Sequence, residues 1–470
     1  MMLSDVGKSK CWHYAEEDKE HIETISKLPI RFTEKDFIVN EAKLPIDVKY
    51  IQESGNFNKH TNQHYGQRKL FLGELLFLCK IFDKYKLNLT NSPKVKVLYI
   101  GSADGTHIEY LHRLFNNRLE LTLYDNADFS RLLYNRDGST ISGITIHQKL
   151  FDDVELAKYN TDNCDVFISD IRSSDVGKWV REQGIYRDMA LQNKWVLAIK
   201  PKLGAMLKFK LPEPKSSQYM FLNEQELKEF RQKIGKDPYA SEDTQKRGME
   251  FNVAVNTAPN TVGYLTKTHY TSIKGTIVRQ CYPPKHSHET RLIIFNEDLD
   301  KTMNLDLEQY DKLGIYHNNF KRPWITYHLN LLGLDTKKLL AIGYDKCFDC
   351  TYEIYIWNLF KQLYDKSVSG GNFDIIRSIV DLEKVLGQRL RSDIHGFIKG
   401  EESVYQKTIR NTLSHEVKDN WRRSGGSYSV CHINLIILII ILIILLLLFT
   451  KNIISINNYS NRFQKPTAVF

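Results

Sequence analysis

The fold is decided by the stretch VKVLYIGSADGTH, which runs from Val95 to His107. Its first six residues are apolar, aromatic or β-branched apart from Lys96, and such a run bounded by glycine predicts a buried β-strand. Gly101 and Gly105 then form a turn in which the missing side chains let the backbone approach a ligand closely. A helix is predicted next, over 107–115. The stretch therefore predicts a strand, a ligand-binding turn and a helix in succession.

Strands and helices alternate on both sides of this stretch. Helical patterns are predicted over 69–84 and 186–200, and further strands over 119–124, 144–148, 165–169, 205–210 and 291–295. This alternation is typical of a parallel sheet that is covered by helices on both faces. The sequence therefore predicts an α/β fold with a Rossmann-like, doubly wound sheet.

The spacing of the turn indicates which kind of ligand it binds. It is Gly-x-x-x-Gly rather than Gly-x-Gly-x-x-Gly, which disfavours a pyrophosphate cradle and hence a nicotinamide dehydrogenase. Asp125 closes the second strand about twenty residues further on, where an acid can accept both ribose hydroxyls, and Asp170 closes the fourth strand. Each acid could instead be a simple turn former at a strand end. Together with the glycines, the two acids favour a site for a nucleoside cofactor that has no phosphate.

Composition places few limits on function. The 470 residues include 65 Lys and Arg against 56 Asp and Glu, and the net charge of +9 is compatible with a polyanionic partner without requiring one. Seven cysteines are dispersed along the chain, and the polar beginning of the sequence has no secretory signal. We therefore expect a reducing compartment.

Five regions are predicted along the chain. They are a polar N-terminal arm (1–62), a catalytic domain (63–365), a linker with a charged helical extension (366–430), a hydrophobic segment (433–450) and a short polar tail (451–470). The uncharged segment from Ile433 to Thr450 would form a helix of about 27 Å, just short of the bilayer's hydrocarbon core. It is predicted to be a membrane tail anchor, with a buried or aberrantly translated segment as the alternative.

Several blocks of the sequence resemble, in order, the poxvirus family of cap-specific mRNA 2′-O-methyltransferases. Members of that family also serve as the small stimulatory subunit of the viral poly(A) polymerase. The blocks are Tyr65–Leu70 with Leu72–Leu75, Tyr99–His107, Ile168–Ser173, Ala190–Asn193, Leu207 and Lys208 with Pro212, and more weakly 287–292. The resemblance implies the fold of S-adenosylmethionine-dependent methyltransferases, capped mRNA as substrate and a poly(A) polymerase catalytic subunit as a possible partner. It also implies a cytoplasmic location, in the viral factory or virion of a large DNA virus.

The resemblance further implies a Lys-Asp-Lys-Glu tetrad. Its members fall on Lys69, Asp170, Lys208 and Glu289. A ribose 2′-hydroxyl is a poor nucleophile until its proton is removed, and a lysine can remove it only if its pKa is lowered by burial or by a nearby cation. Lys208 would be the base, and Lys69 would help to lower its pKa. The two acids would orient the amines and the ribose.

The resemblance also implies which residues contact the cofactor and the RNA. The cofactor, S-adenosyl-L-methionine, is expected to contact Gln67, Tyr99, Gly101, Gly105, Asp125 and Asp170, with His147 and Arg172 nearby. RNA and cap contacts are expected from Tyr50, Lys210, Lys215, Ser287, His288 and Asp311. Ala127 replaces an arginine of the family, Glu213 replaces an aromatic residue of the cap pocket, and Lys215 replaces an acid. The cap is therefore expected to be bound less selectively than by a full aromatic sandwich.

Two other functions are weighed against this one. The chain could be a non-catalytic RNA-binding subunit of a poly(A) polymerase, but RNA binding alone would not require Lys208 and Asp170 together, so an intact tetrad favours the enzyme. It could also methylate a base or a protein, but Asp170-Ile171-Arg172-Ser173 lacks the Pro-Pro-aromatic motif typical of amino-group methylation. Cys347-x-x-Cys350 lacks a second ligand pair, so packed, reduced cysteines are expected there and no metal site.

Overall fold

The structure is a computed structural model of the chain. It describes residues 30–43, 66–172, 178–212, 261–284, 287–322, 325, 327–329, 334–344 and 346–387. These residues all belong to one compact unit, Met1–Val404, whereas the second unit, Tyr405–Phe470, lies outside the described residues. No helix in the described ranges is both long and apolar enough to cross a membrane. The predicted tail anchor, Ile433 to Thr450, falls outside those ranges and stays a prediction.

Seven strands form the central sheet: Val95–Ile100 (β1), Leu119–Asp125 (β2), Ile144–Gln148 (β3), Val166–Ser169 (β4), Gly204–Phe209 (β5), Thr276–Val278 (β7) and Thr290–Phe295 (β8). Their order across the sheet is β3-β2-β1-β4-β5-β8-β7. The first five strands pair in parallel, and β8 runs antiparallel to both β5 and β7. Two further strands, His269–Ile273 (β6) and Thr302–Asp306 (β9), form a small antiparallel sheet. The predicted mixed α/β fold with a mostly parallel sheet is confirmed.

Hydrophobic cores cover both faces of the central sheet. Helices α1 to α8 span Gly66–Lys84, Ile108–Leu114, Asp153–Leu156, Lys178–Ile199, Leu307–Tyr316, Thr336–Ala341, Phe348–Ser367 and Ile375–Leu386. Because side chains alternate along a strand, Val97 and Tyr99 of β1 pack into one core, whereas Leu98 and Ile100 pack into the other. The first core includes residues of α1, α2 and α7, and the second includes residues of α4. A strand buried on both faces explains why β1 is almost continuously apolar.

Part of the predicted polar arm packs against the domain. Phe32 and Phe37 are buried, and their rings lie 5.6 and 4.6 Å from the ring of Tyr352 in α7. The backbone N–H of Val39 donates to Ile277 at 2.7 Å, so this segment pairs with the edge strand β7. Isolated aromatic residues in a polar sequence have no recognisable period, which is why the pattern did not predict this packing. The remainder of 1–62 is outside the described ranges.

A buried ionic cluster connects α1 to the C-terminal helices. Arg68 is completely buried, and its Nη2 lies 2.7 Å from Glu353 Oε1 in α7. The same nitrogen donates to the Tyr344 hydroxyl at 2.7 Å, and Nη1 lies 3.5 Å from Glu383 Oε1 in α8. The hydroxyl of Tyr282 also donates to Glu353, at 2.7 Å. This cluster fixes the start of α1, where Lys69 follows Arg68.

Candidate active site

The four tetrad residues meet at the carboxyl edge of the central sheet. Asp170 directly follows β4, and Lys208 lies near the end of the adjacent strand β5. Glu289 immediately precedes β8, which begins at this edge because it runs antiparallel to β5. Lys69 lies in the first turn of α1. Neighbouring strands and one helix end therefore bring together residues that are far apart in the sequence.

The distances within this cluster are short. Lys208 Nζ is 3.3 Å from Asp170 Oδ1 and 3.7 Å from Glu289 Oε2. Lys69 Nζ is 3.1 Å from Glu289 Oε1. The four side chains are between 9% and 15% exposed, so a substrate can reach the cluster while most of the solvent is excluded.

Arg291 is a fifth member, to which the sequence analysis assigned no role. It is the direct cross-strand partner of Lys208 in the β5–β8 register, so the two side chains share one face of the sheet. The guanidinium is buried and forms an ion pair with Asp170. Its position two residues after Glu289 could have indicated it, because alternate residues along a strand lie on the same face.

Glu289 has two further partners. Arg172 Nη2 lies 3.2 Å from Glu289 Oε2, and Gln280 Nε2 donates to Glu289 Oε1 at 3.1 Å. Arg172 was expected near the cofactor, but the structure places its guanidinium against the tetrad glutamate and 3.8 Å from Asp188. No motif in the sequence indicated Gln280.

Burial and the charges in the cluster together set the pKa of Lys208. Burial lowers the pKa of Lys208 below its usual 10.5. Asp170 and Glu289 oppose this effect, whereas the positive charges of Arg291 and Lys69 add to it. Burial alone would raise the pKa of Glu289, but the surrounding lysines and arginines hold it well below its usual value. The cluster therefore combines an ionised Glu289 with a lysine that loses its proton more readily than usual.

The glycine turn lies tightly against the ends of the neighbouring strands. Gly101 has φ +76°, and a Cβ there would lie 2.8 Å from the backbone nitrogen of Ile171. Gly105 has φ +64°, which also favours glycine. The Gly101 N–H donates to the Tyr124 carbonyl at 2.8 Å. Replacing either glycine would move the turn that the sequence predicts to approach the cofactor.

Asp125 holds this turn in place. Its Oδ2 accepts the Ala103 N–H at 2.8 Å, and its Oδ1 accepts the Ala127 N–H at 2.9 Å. Each carboxylate oxygen has a second acceptor position, so both remain able to accept a ribose hydroxyl. Ala127 is exposed, and its contribution here is the backbone amide.

Asp125→Ala is expected to weaken binding of the cofactor that the family resemblance implies, S-adenosylmethionine, by about 1–3 kcal/mol, because charge-assisted hydrogen bonds and the support of the turn are both lost. Calorimetric titration of the cofactor measures this directly. Asp137→Ala is the matched control, since Asp137 is an exposed turn residue bonded only to Ser139 among the contacts described. Equal dissociation constants for the two variants would remove Asp125 from the site.

The surroundings of the turn fit a nucleoside. The ring of His147 stacks on Tyr124 at 4.4 Å with an interplanar angle of 21°. Burial, reinforced by Lys149, lowers the pKa of His147, so the ring is neutral at neutral pH and could lie beside a base. The buried hydroxyls of Ser102 and Ser169, after β1 and at the end of β4, have no hydrogen-bond partner among the described residues. Polar groups without partners at this edge are available to a ligand.

Gln67 and Tyr99 each contact one member of a buried pair of side chains. Gln67 Oε1 is 2.5 Å from His107 Nδ1, and the Tyr99 hydroxyl donates to Glu74 Oε1 at 2.7 Å. His107 and Glu74 are themselves in contact, at 2.8 Å. The two residues predicted to contact the cofactor are therefore connected through a buried pair that the sequence analysis did not identify.

The predicted RNA contacts are brought together only in part. Ser287 and His288 flank Glu289, and the Ser287 hydroxyl accepts the Glu289 N–H at 3.2 Å. His288 Nδ1 lies 2.9 Å from Asp311 Oδ1, so this carboxylate already has a partner. Lys210 directly follows β5. Tyr50, Lys215 and the substituted Glu213 are outside the described residues.

The fold and this edge define an α/β protein with a candidate ligand site at the carboxyl ends of its parallel strands. Residues 36–245 match the model of a family described as the poly A polymerase regulatory subunit. This range contains three members of the tetrad but not Glu289.

Among curated proteins, the cap-specific mRNA (nucleoside-2′-O-)-methyltransferase of fowlpox virus (strain NVSL) is 33% identical over 172 residues, which are 35% of this chain and 52% of that protein. The protein of the same name from myxoma virus (strain Lausanne) is 30% identical over 174 residues, or 36% of this chain and 48% of its own length. The chain thus spans about half the length of the relatives it matches. These matches confirm the resemblance to the poxvirus family.

Proposed function

We propose that this protein transfers a methyl group from S-adenosylmethionine to the ribose 2′-hydroxyl of the first transcribed nucleotide of capped mRNA. The observation that carries the proposal is the buried Lys208, which contacts Asp170 and Glu289 at the same sheet edge as the glycine turn. The names of the fowlpox and myxoma relatives support the same reaction.

The chemistry required of the chain is limited. S-adenosylmethionine supplies a methyl carbon that is electrophilic because it is bonded to a positively charged sulfur. Uncharged Lys208 Nζ accepts the proton of the 2′-hydroxyl while the 2′-oxygen attacks that carbon. The carbon–sulfur bond breaks as the carbon–oxygen bond forms, and a neutral thioether leaves. The proton ends on Lys208.

The other cluster members position and tune the base. Asp170 and Glu289 hold the Lys208 amine from two sides, which aligns it for the in-line transfer. Lys69 and Arg291 add positive charge that favours the uncharged form of Lys208. Three of these residues were expected from the family resemblance, and Arg291 joins them because of its contact with Asp170.

Replacing Arg291 is expected to change the pH dependence of the reaction. A lysine base acts when deprotonated, so the rate rises with pH and levels off above the lysine's pKa. Arg291→Met removes a cation that lowers the pKa of Lys208, so the rising part of the profile should move to higher pH. Single-turnover rates measured across pH test this. Arg118→Met, which replaces an arginine bonded to Ser92 ahead of β2, should leave the profile in place. A profile unmoved by Arg291→Met would contradict the proposed tuning.

The activity is tested by incubating the protein with labelled S-adenosylmethionine and capped or uncapped RNA, then mapping the methyl group by nuclease digestion. Label on the 2′-oxygen of the first nucleotide of capped RNA is expected. The preference for capped RNA should be modest, because Glu213 stands where the family has an aromatic residue. Label on a base or on protein, or no transfer at all, would overturn the proposal.

A second role is favoured by the description of the matching family as a poly(A) polymerase regulatory subunit. We propose that the chain also binds RNA for a polymerase catalytic subunit in the cytoplasm. Polymerase assays with the Lys208→Ala variant separate the roles, since elongation should be stimulated as well as by the unmutated protein. Membrane attachment through 433–450 remains a prediction from the sequence alone.

A further inference from the structure

A buried histidine–glutamate pair lies directly behind the glycine turn. His107 occupies the N-cap position of α2, at the end of the turn, and Glu74 lies in the middle of α1. His107 Nε2 is 2.8 Å from Glu74 Oε2, and both side chains are fully buried. A buried carboxylate is costly unless it is paired and hydrogen-bonded, so such a pair calls for an explanation.

The pair has a definite arrangement of hydrogen bonds. Glu74 Oε1 already accepts the Tyr99 hydroxyl at 2.7 Å, and a carboxylate only accepts, so His107 Nε2 must donate to Glu74. The other ring nitrogen, Nδ1, lies 2.5 Å from Gln67 Oε1. Gln67 and Glu74 are two helical turns apart and share one face of α1, so His107 is clamped between them.

This arrangement decides which part of the Gln67 amide is left for a ligand. The carbonyl oxygen is occupied by the imidazole ring, whose Nδ1 lies 2.5 Å away. The amide NH₂ group remains. It is a donor, and Gln67 lies in the first turn of α1, two residues before the tetrad residue Lys69.

We propose that His107 and Glu74 are positioning residues for the cofactor: they hold Gln67 by its carbonyl oxygen, so that its NH₂ group donates to the carboxylate of S-adenosylmethionine. This inference rests on the proposed function. The carboxylate is the negatively charged group of the cofactor and accepts hydrogen bonds without donating any, and a fixed amide donor recognises it without adding charge. Fixing the amide in advance lowers the entropy lost when the cofactor binds.

A double-mutant cycle tests whether His107 acts through Gln67. The dissociation constant of S-adenosylmethionine is measured by calorimetry on the full chain and on Gln67→Ala, His107→Asn and the double variant. Each single substitution is expected to weaken binding about tenfold or more, as for loss of a hydrogen bond to a charged group. The double variant should bind within about twofold of Gln67→Ala, because coupled residues are not additive. At saturating cofactor kcat should fall much less than the KM for the cofactor rises.

His112→Asn is the matched control. His112 is a second buried histidine of α2, but its Nε2 bonds to the Ser142 carbonyl and not to any residue of this pair. It should leave the cofactor affinity unchanged. The inference is overturned if His107→Asn weakens cofactor binding by the same factor in the unmutated protein and in Gln67→Ala. It is also overturned if His107→Asn does not weaken binding.

Gln67→Glu keeps the inference testable if His107→Asn folds poorly. A glutamate can still accept from His107, and it suits the first turn of α1, but it cannot donate. It should lose at least as much cofactor affinity as Gln67→Ala while keeping the thermal midpoint of the unmutated protein. Unchanged affinity would overturn the inference. If the unmutated protein does not bind S-adenosylmethionine, the proposed function fails and the inference with it, whereas additivity in the cycle overturns the inference alone.

Discussion

Lys208→Ala is expected to lower kcat for methyl transfer by about 10²–10⁴-fold, the usual contribution of a general base. Lys208 contacts both tetrad acids, and its pKa is lowered chiefly by burial. It lies in β5, whereas the glycine turn follows β1, so the affinity for S-adenosylmethionine should change little. Labelled methyl incorporation into capped RNA and cofactor calorimetry measure the two quantities separately.

Lys208→Arg distinguishes a base from a fixed charge. An arginine keeps the positive charge opposite Asp170 but cannot release its proton under these conditions. It should therefore be about as inactive as the alanine variant. Lys202→Ala is the control, because Lys202 is an exposed lysine shortly before β5. Recovery of activity with arginine would contradict proton transfer to Lys208.

Arg68→Met is expected to destabilise the protein by about 3–5 kcal/mol, the usual cost of removing one partner from a buried ion pair. Glu353 would remain fully buried without the guanidinium that now lies 2.7 Å away. Denaturant unfolding measures the loss. Removing the charge of Glu353 as well, in Arg68→Met/Glu353→Gln, should recover part of the stability.

Arg113→Met gives the surface comparison. Arg113 is 60% exposed and lies 3.7 Å from Glu109 on the same helix, an arrangement that contributes little to stability. Equal effects of Arg113→Met and Arg68→Met would show that the buried cluster does not stabilise α1. Because Lys69 follows Arg68, we also expect Arg68→Met to lose activity at temperatures at which the domain is still folded.

The sequence predicted the elements whose pattern is local. The bounds of β1 and β3 match the prediction, and β5 and α1 differ by a few residues at their ends. Helix α7 was not predicted, and its aromatic residues Tyr352 and Trp357 are buried in the core. The small β6–β9 sheet was also missed, because short strands of mixed polarity resemble loops.

Of the candidate site, only the residues that lie within the family's sequence motifs could be predicted. Asp170, Lys208 and Glu289 follow from matching blocks, and the structure brings them together. Contacts between distant segments define the roles of Arg291, Glu74 and His107. Such roles could not be recognised from the sequence, because a single charged residue within an apolar strand or helix has no periodic pattern. The partner of Asp311 was missed for the same reason, since His288 lies on a different element.

The pairing of β5 with β8 makes this strand intolerant of insertions and deletions. Lys208 faces Arg291, and Leu292 on the opposite face packs into the second core. A one-residue slip of β8 would exchange those faces, placing a guanidinium among apolar side chains and a leucine beside Asp170. Insertions and deletions within β8 should therefore be selected against for two reasons, because they would misfold the domain and would inactivate the site.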